Sequence, residues 1–219
     1  MASALSDFED VLVVCAHPDD ESFGLGAVLH AIAESGGRVS VLSFTHGEAS
    51  TLHGVDGDLA MIRAAELDAA SQRLGVKRVE LLDYPDGSLA AHAPAELAGH
   101  VRRVAHETGA RLLLVFDHGG ITGHPDHQAA TDAALHAAAT LHAPVYAWII
   151  PTDVADTLNR EFGTTFVGRD AHHAEIVLTV DRASQSDAID CHRSQATDNP
   201  VLRRRLELMT DQERLRRLS

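Results

Sequence analysis

The stretch Val11-Leu-Val-Val-Cys-Ala-His-Pro-Asp-Asp-Glu21 constrains the fold more than any other part of the chain. Val11 to Ala16 is a continuous run of apolar and small residues rich in β-branching, which suits a central parallel strand buried on both faces. The chain then passes directly into His17, Pro18, Asp19, Asp20 and Glu21, and an apolar segment from Phe23 to Ile32 follows at helical spacing. Pro18 ends the strand. Ligands of open α/β sheets sit just beyond the carboxyl ends of strands, so this ionisable cluster marks the candidate site.

The rest of the chain alternates in the same way. Strands are expected at 11–16, 39–44, 78–82, 111–116 and 144–149, and helices near 23–35, 58–75, 94–108 and 125–141. Gly36, Gly37, Gly75, Gly109 and Pro144 punctuate their ends. A further strand at 173–180 precedes a helix near 182–195, whereas 151–172 has weak periodicity and reads as loops. The alternation predicts an α/β domain: a Rossmann-like, three-layer, doubly wound and mostly parallel sheet of strand order 3-2-1-4-5, in a single domain. In that order strands 1 and 4 are neighbours and the topology reverses between them. The loop after strand 1 carries His17-Pro-Asp-Asp20, and the loop after strand 4 carries Gly123-His-Pro-Asp-His127. Topology alone brings these two clusters to one crevice.

Charge and composition narrow the classes of function. A chain of 219 residues needs no disulfide or metal merely to fold. Cys15 and Cys191 form neither a framework nor a CxxC pair, and free thiols fit a reducing, cytoplasmic compartment. Residues 1–10 have neither the basic start nor the apolar core of a signal peptide, and no apolar run reaches the ~18 residues of a membrane span. A net charge of −14 repels phosphate backbones and argues against nucleic acid as a partner. The C-terminus stands apart, since residues 202–219 sum to +3 and the remainder to −17. The Arg-rich segment 197–219 is expected to be helical. Its thin apolar stripe of Leu202, Leu206, Met209 and Leu215 would pack on the domain or on a second subunit, which allows a homo-oligomer.

A dinucleotide site needs a glycine-rich turn after strand 1, but Asp19, Asp20 and Glu21 stand there and repel a pyrophosphate. Histidine with carboxylate instead suits a borderline divalent ion, and a catalytic site of that kind uses three protein ligands. His17, Asp20, His124 and His127 are candidates, with Asp19 and Asp126 beside them. They exceed three, which leaves groups over for proton transfer. Others of the fifteen histidines, such as His30, His100, His106, His136 and His142, lie on or at the end of expected helices as ordinary surface groups.

His17-Pro-Asp-Asp-Glu21 and His124-Pro-Asp-His127 occur here with Thr45-His-Gly-Glu48, Arg63-Ala-Ala-Glu66, Tyr84-Pro-Asp-Gly87 and His192-Arg-Ser-Gln195. This ordered set resembles the LmbE/PIG-L family of metal-dependent N-deacetylases, over about residues 11 to 196, so that 1–196 is expected to be the catalytic domain. The resemblance implies hydrolysis of an amide, most simply N-deacetylation of an N-acetylglucosamine-type amino sugar or a conjugate of one. It implies Zn2+ held by His17, Asp20 and His127, with Fe2+, Co2+ or Mn2+ also suited to such a His/Asp set. Asp19 would be the general base for a metal-activated water. His124 would act as general acid or electrostatic partner, oriented by Asp126. Arg63 and Asp86 match positions that hold substrate hydroxyls in sugar-deacetylating relatives, and Glu48 is a further candidate contact. Some relatives carry a tyrosine where this chain has Thr122. Cleavage of a larger thiol conjugate, and a metal-bearing binding protein without turnover, are the alternatives. His192 and Gln195 either line the pocket or brace a ligand loop.

Overall fold

Burial on both faces sets the centre of the sheet. The computed structural model describes Leu5, residues 7–52 and residues 56–219, so part of the N-terminal stretch read above for targeting lies outside the described residues. In β1 (Asp10–Cys15), Val11, Val13 and Cys15 face one apolar cluster, and Leu12 and Val14 face another. Alternate residues on opposite faces are what a pleated strand requires. The turn after β1 leads into α1 (Asp20–Phe23) and α2 (Gly26–Glu34), then β2 (Arg38–Thr45), α3 (Leu59–Leu74) and β3 (Arg78–Tyr84). Next come α4 (Pro94–Thr108), β4 (Leu112–Phe116), α5 (Gly120–Gly123), α6 (Pro125–Leu141) and β5 (Val145–Trp148). The last part holds β6 (Ile150–Pro151), α7 (Thr152–Phe162), β7 (Gly168–Arg169), β8 (Ile176–Thr179), α8 (Ala183–Ile189), α9 (Arg193–Ala196), α10 (Pro200–Met209) and β9 (Gln212–Arg217).

The main sheet has seven strands in the order β3-β2-β1-β4-β5-β9-β8. Its first five are parallel in the expected 3-2-1-4-5 order, and β9 and β8 extend it with antiparallel pairings. α4 and α6 cover one face through residues such as Leu97, Val101, Ala130 and Ala134. α2, α3 and α8 contribute to the other cluster through Leu29, Ile32, Ala70, Leu74 and Ala188. Helix ends follow local chemistry. Asp58 accepts from the amides of Ala60 and Met61 to start α3, and Gly75, at φ 77°, takes the left-handed position that ends it. No helix among the described residues is long and apolar enough to cross a membrane.

Four expectations change. The helix expected near 182–195 is split into α8 and α9, with residues 190–192 between them. The helix expected near 23–35 is two pieces, Asp20–Phe23 and Gly26–Glu34, and Gly24 between them is required because a Cβ there would lie 2.5 Å from the Phe116 ring. The stretch read as loops contains α7, whose Val154, Ala155 and Leu158 form a buried stripe. The segment 197–219, expected to be helical, is helical only over Pro200–Met209, and Gln212–Arg217 is a strand. Only Glu213 and Leu215 of that strand are buried, so its alternate arginines obscure the strand pattern. Backbone pairing to β5 and β8, with Leu215 opposite both Trp148 and Ile176, fixes its place.

Candidate active site

Because β1 and β4 run side by side, the turns leaving their carboxyl ends converge. His127, on the first turn of α6, places Nε2 3.0 Å from Oδ1 of Asp20, and its ring centroid lies 5.2 Å from that of His17. Asp20 is fixed from behind, since its Oδ2 accepts the amide hydrogens of Ala16 and His17, both at 3.0 Å. Burial works against its ionisation, but His127 and His17 hold the carboxyl well below the usual range. The donor atoms of His17, Asp20 and His127 lie within 4.8 Å of one another, as do those of His17, His124 and Asp126.

His17 lies among three carboxylates. Its Nε2 is 3.0 Å from Asp86 and 3.5 Å from Asp126, and its Nδ1 is 3.8 Å from Asp20. Burial would lower its pKa, but Asp126, Asp86 and Asp20 together push it up to about 10. Close as Asp86 is, Nε2 is buried without a well-directed hydrogen bond. Excess carboxylate around a poorly directed imidazole nitrogen calls for a cation. Neighbouring donors of a tetrahedral ion with bonds of about 2.1 Å stand roughly 3.4 Å apart, which small shifts of His17, Asp20 and His127 would satisfy. These residues fit a divalent metal ion.

Asp19 sits beside that set in a backbone conformation unusual for a residue with a Cβ, at φ 111°. Its amide donates to Glu21 Oε2 (2.9 Å), and its Oδ2 pairs with Arg63 Nη2 (3.1 Å). Burial raises the Asp19 carboxyl to about 6 against the opposing charge of Arg63. Arg63, 3% exposed on α3, also donates to the carbonyls of Gly47 and Pro18. Gly47 is required there, because at φ +64° a Cβ would meet the guanidinium at 2.2 Å.

A family model described as PIG-L: GlcNAc-PI de-N-acetylase matches residues 12–138, a span holding every one of these groups. The chain belongs to the PIG-L family. One relative is the 1D-myo-inositol 2-acetamido-2-deoxy-alpha-D-glucopyranoside deacetylase of Kineococcus radiotolerans, 34% identical over 58% of this chain and 44% of that protein. Another is a probable N-acetylglucosaminyl-phosphatidylinositol de-N-acetylase of Schizosaccharomyces pombe, 32% identical over 58% of this chain and 51% of that one. The chain thus spans about half the length of these curated relatives. Among solved structures, the N,N'-diacetylchitobiose deacetylase of Pyrococcus horikoshii superposes with a TM-score of 0.72 at 21% identity, over 98% of this chain and 85% of that one.

The remaining PIG-L motifs fall at different depths. Asp86 lines the cavity, whereas Glu48 is exposed and is not among the lining residues. Glu48 accepts the Asp86 amide (2.9 Å), and Asp86 in return accepts the Ala49 amide (3.0 Å), so the two loops clasp each other. The Asp126 carboxylate, fully buried, accepts from Gly87 (2.8 Å) and Leu89 (3.0 Å), while its backbone N–H donates to His124 Nδ1 (3.2 Å). Asp126 therefore orients His124 through its amide, not its carboxylate. Burial, with His17 and His127 adding, lowers the His124 pKa. Gln195 and Thr122 line the cavity. His192 does not. It is fully buried against Glu21, with Nε2 2.6 Å from Oε1.

The cavity has a volume of about 530 Å³. Sequence reasoning gave no role to its aromatic wall of Phe23, Phe116, Trp148 and Phe166, nor to Asn199 and Arg205 from the C-terminal segment. A strand-end position marks Phe116 and Trp148 in retrospect. Nothing local marks Arg205, one of a run of three arginines.

Proposed function

We propose that this chain is a metal-dependent N-deacetylase that hydrolyses the acetamide of an N-acetylglucosamine-type amino sugar or conjugate, with Zn2+ as its ion. The observation that carries the reading is the meeting of His17, Asp20 and His127 in one cavity, with the carboxylate of Asp19 beside them. The curated relatives named above are deacetylases of acetamido sugars, which supports this substrate class. A cytoplasmic site of action agrees with two cysteines that form no disulfide.

His17, Asp20 and His127 would hold the ion, which when bound polarises a carbonyl and acidifies water. Asp19 is the base. Arg63 engages its Oδ2, which leaves Oδ1 to take a proton from the attacking water, and burial keeps the carboxylate more basic than a surface aspartate. An imidazole whose Nδ1 accepts a hydrogen bond is neutral and carries its proton on Nε2. His124 therefore acts as a fixed Nε2–H donor towards the oxygen that gains charge when the amide carbonyl is attacked. Asp86, held by Ala49, offers a carboxylate to the sugar hydroxyls. Arg63 acts on the substrate indirectly, by positioning Asp19, and Glu48 does so by positioning Asp86.

The test is to strip the protein of metal and reload it with Zn2+, Fe2+, Co2+ or Mn2+. Each form is then incubated with N-acetylglucosamine and its glycosides, and amine and acetate are measured. Equal release of both products supports the reading. Full metal loading with no release from any of these amides would refute it.

A further inference from the structure

Arg205 has no part in the chemistry above, yet its side chain lines the same cavity. It projects from α10, is 8% exposed and donates from Nη2 to the carbonyl of Phe23. Its guanidinium carbon lies 5.3 Å from the centre of the Trp148 ring. Among the described residues no carboxylate forms an ion pair with it, and its other N–H groups have no hydrogen-bond partner. The nearest anionic group that acts on it, Glu213, is committed elsewhere: it accepts from Trp148 Nε1 and from Arg182 Nη1, both at 2.5 Å. Arg182 and Arg205 thus share the single carboxylate of Glu213, while Asp19 and Asp20 in the cavity act on Arg205 more weakly and form no ion pair with it. Burial lowers the Arg205 pKa only to about 10, so it is a cation at neutral pH.

An unpaired buried charge is costly unless something pairs with it. A guanidinium presents a planar fork of donors that matches carboxylate or phosphate oxygens. We propose that Arg205 recognises an anionic group on the substrate, so that the natural amide carries a carboxylate or phosphate in addition to its acyl amino sugar. This rests on the amide-hydrolase reading above; an anion on the sugar's substituent keeps its acetyl group, and an anion on the acyl chain would replace acetyl with a longer diacid. The anion would sit over the aromatic wall of the cavity. Ring centroids step from His127 to Phe116 (5.1 Å) and on to Trp148 (5.5 Å), and Arg205 lies over the Trp148 ring. Two parts of a substrate could place an anion there: the group joined to the sugar, or the far end of the acyl chain.

Matched pairs of substrates separate these sources. One pair is an N-acetylglucosamine glycoside ending in a carboxylate and the same glycoside ending in a carboxamide. The other is N-succinylglucosamine and its neutral succinamide counterpart. The wild-type protein is expected to favour the anionic member of one pair by about 10- to 100-fold in kcat/KM, the scale of a hydrogen-bonded charge pair. In Arg205→Gln that ratio should fall towards 1, and Arg205→Lys should retain part of it.

A binding assay keeps the question open to test without turnover. Trp148 is the only tryptophan of the chain, so its fluorescence reports ligands near Arg205. Titration with the deacetylated carboxylate glycoside and with its amide should show the same preference, lost in Arg205→Gln. A ratio near 1 for wild-type protein in every pair overturns the proposal. So does an Arg205→Gln variant that weakens both members of a pair equally, as a purely structural arginine would. If nothing is turned over but the carboxylate still binds preferentially, the hydrolase reading fails and the anion site stands.

Discussion

Removing one member of the buried Glu21–His192 pair is expected to destabilise the protein by about 3–5 kcal/mol, because the partner remains as an uncompensated buried charge. Both side chains are 0% exposed and meet at 2.6 Å. Burial works against charge on His192, but Glu21 outweighs it and raises the imidazole pKa above its ordinary value, which favours the charged form. Glu21 also accepts from Ser22 Oγ (2.5 Å) and from the Asp19 amide (2.9 Å). For a domain of this size each kcal/mol shifts Tm by about 2–4 °C, so Glu21→Gln and His192→Gln should each melt roughly 6–20 °C below wild type.

Urea and thermal unfolding of the two variants and of the double variant form the assay. The double variant should lose less than the sum of the singles, since it leaves no stranded charge. The pH dependence has a definite sign. A histidine whose folded pKa is raised contributes fully below its unfolded value of about 6.5, and the contribution fades as pH rises through the folded value. The wild-type advantage over His192→Gln should therefore shrink on the alkaline side. The pair also supports the site, because Glu21 holds Asp19 in a left-handed conformation that costs about 1–3 kcal/mol to maintain. Single variants that cost less than about 1 kcal/mol, or strictly additive losses in the double variant, would refute this reasoning.

Asp19→Asn should bind metal as wild type does while losing at least ~10²-fold in deacetylation rate, the scale of positioned general-base catalysis. His127→Ala should reduce bound metal, seen by elemental analysis, and should lose the stabilisation that added metal gives wild-type protein, about 2.7 kcal/mol when the ion is at 100 times its Kd. Arg63→Gln removes a cation that holds the Asp19 carboxyl down, so the acid limb of the kcat/KM profile should move to higher pH. Leu215→Ala empties a fully buried position between β5 and β8 and should cost about 2–5 kcal/mol in urea unfolding.

The centre of the parallel sheet was legible in the sequence because β1, β2 and β4 are buried on both faces. Val11 to Ala16 and Leu112 to Phe116 have to be continuous apolar runs, and helices of 3.6-residue period separate them. The site was legible for a related reason. Once β1 and β4 are neighbours, His17, Asp20 and His127 meet whatever else the chain does. Other features were hidden because they depend on groups far apart in sequence. β9 is a charged segment whose strand character comes from backbone pairing with β5 and β8. The clasp between the Glu48 carboxylate and the Asp86 backbone joins loops 38 positions apart, which no local pattern shows. His192 gains its meaning from Glu21, across 171 positions of chain.

The residues themselves therefore determined which chemistry the chain can offer and which strand ends carry it, since burial, period and donor type are properties of short stretches. Tertiary structure alone decided which carboxylate faces which imidazole, which arginine goes unpaired, and where the Arg-rich end inserts. Those outcomes follow from hydrogen bonds and charge neighbours that exist only once distant segments are packed together.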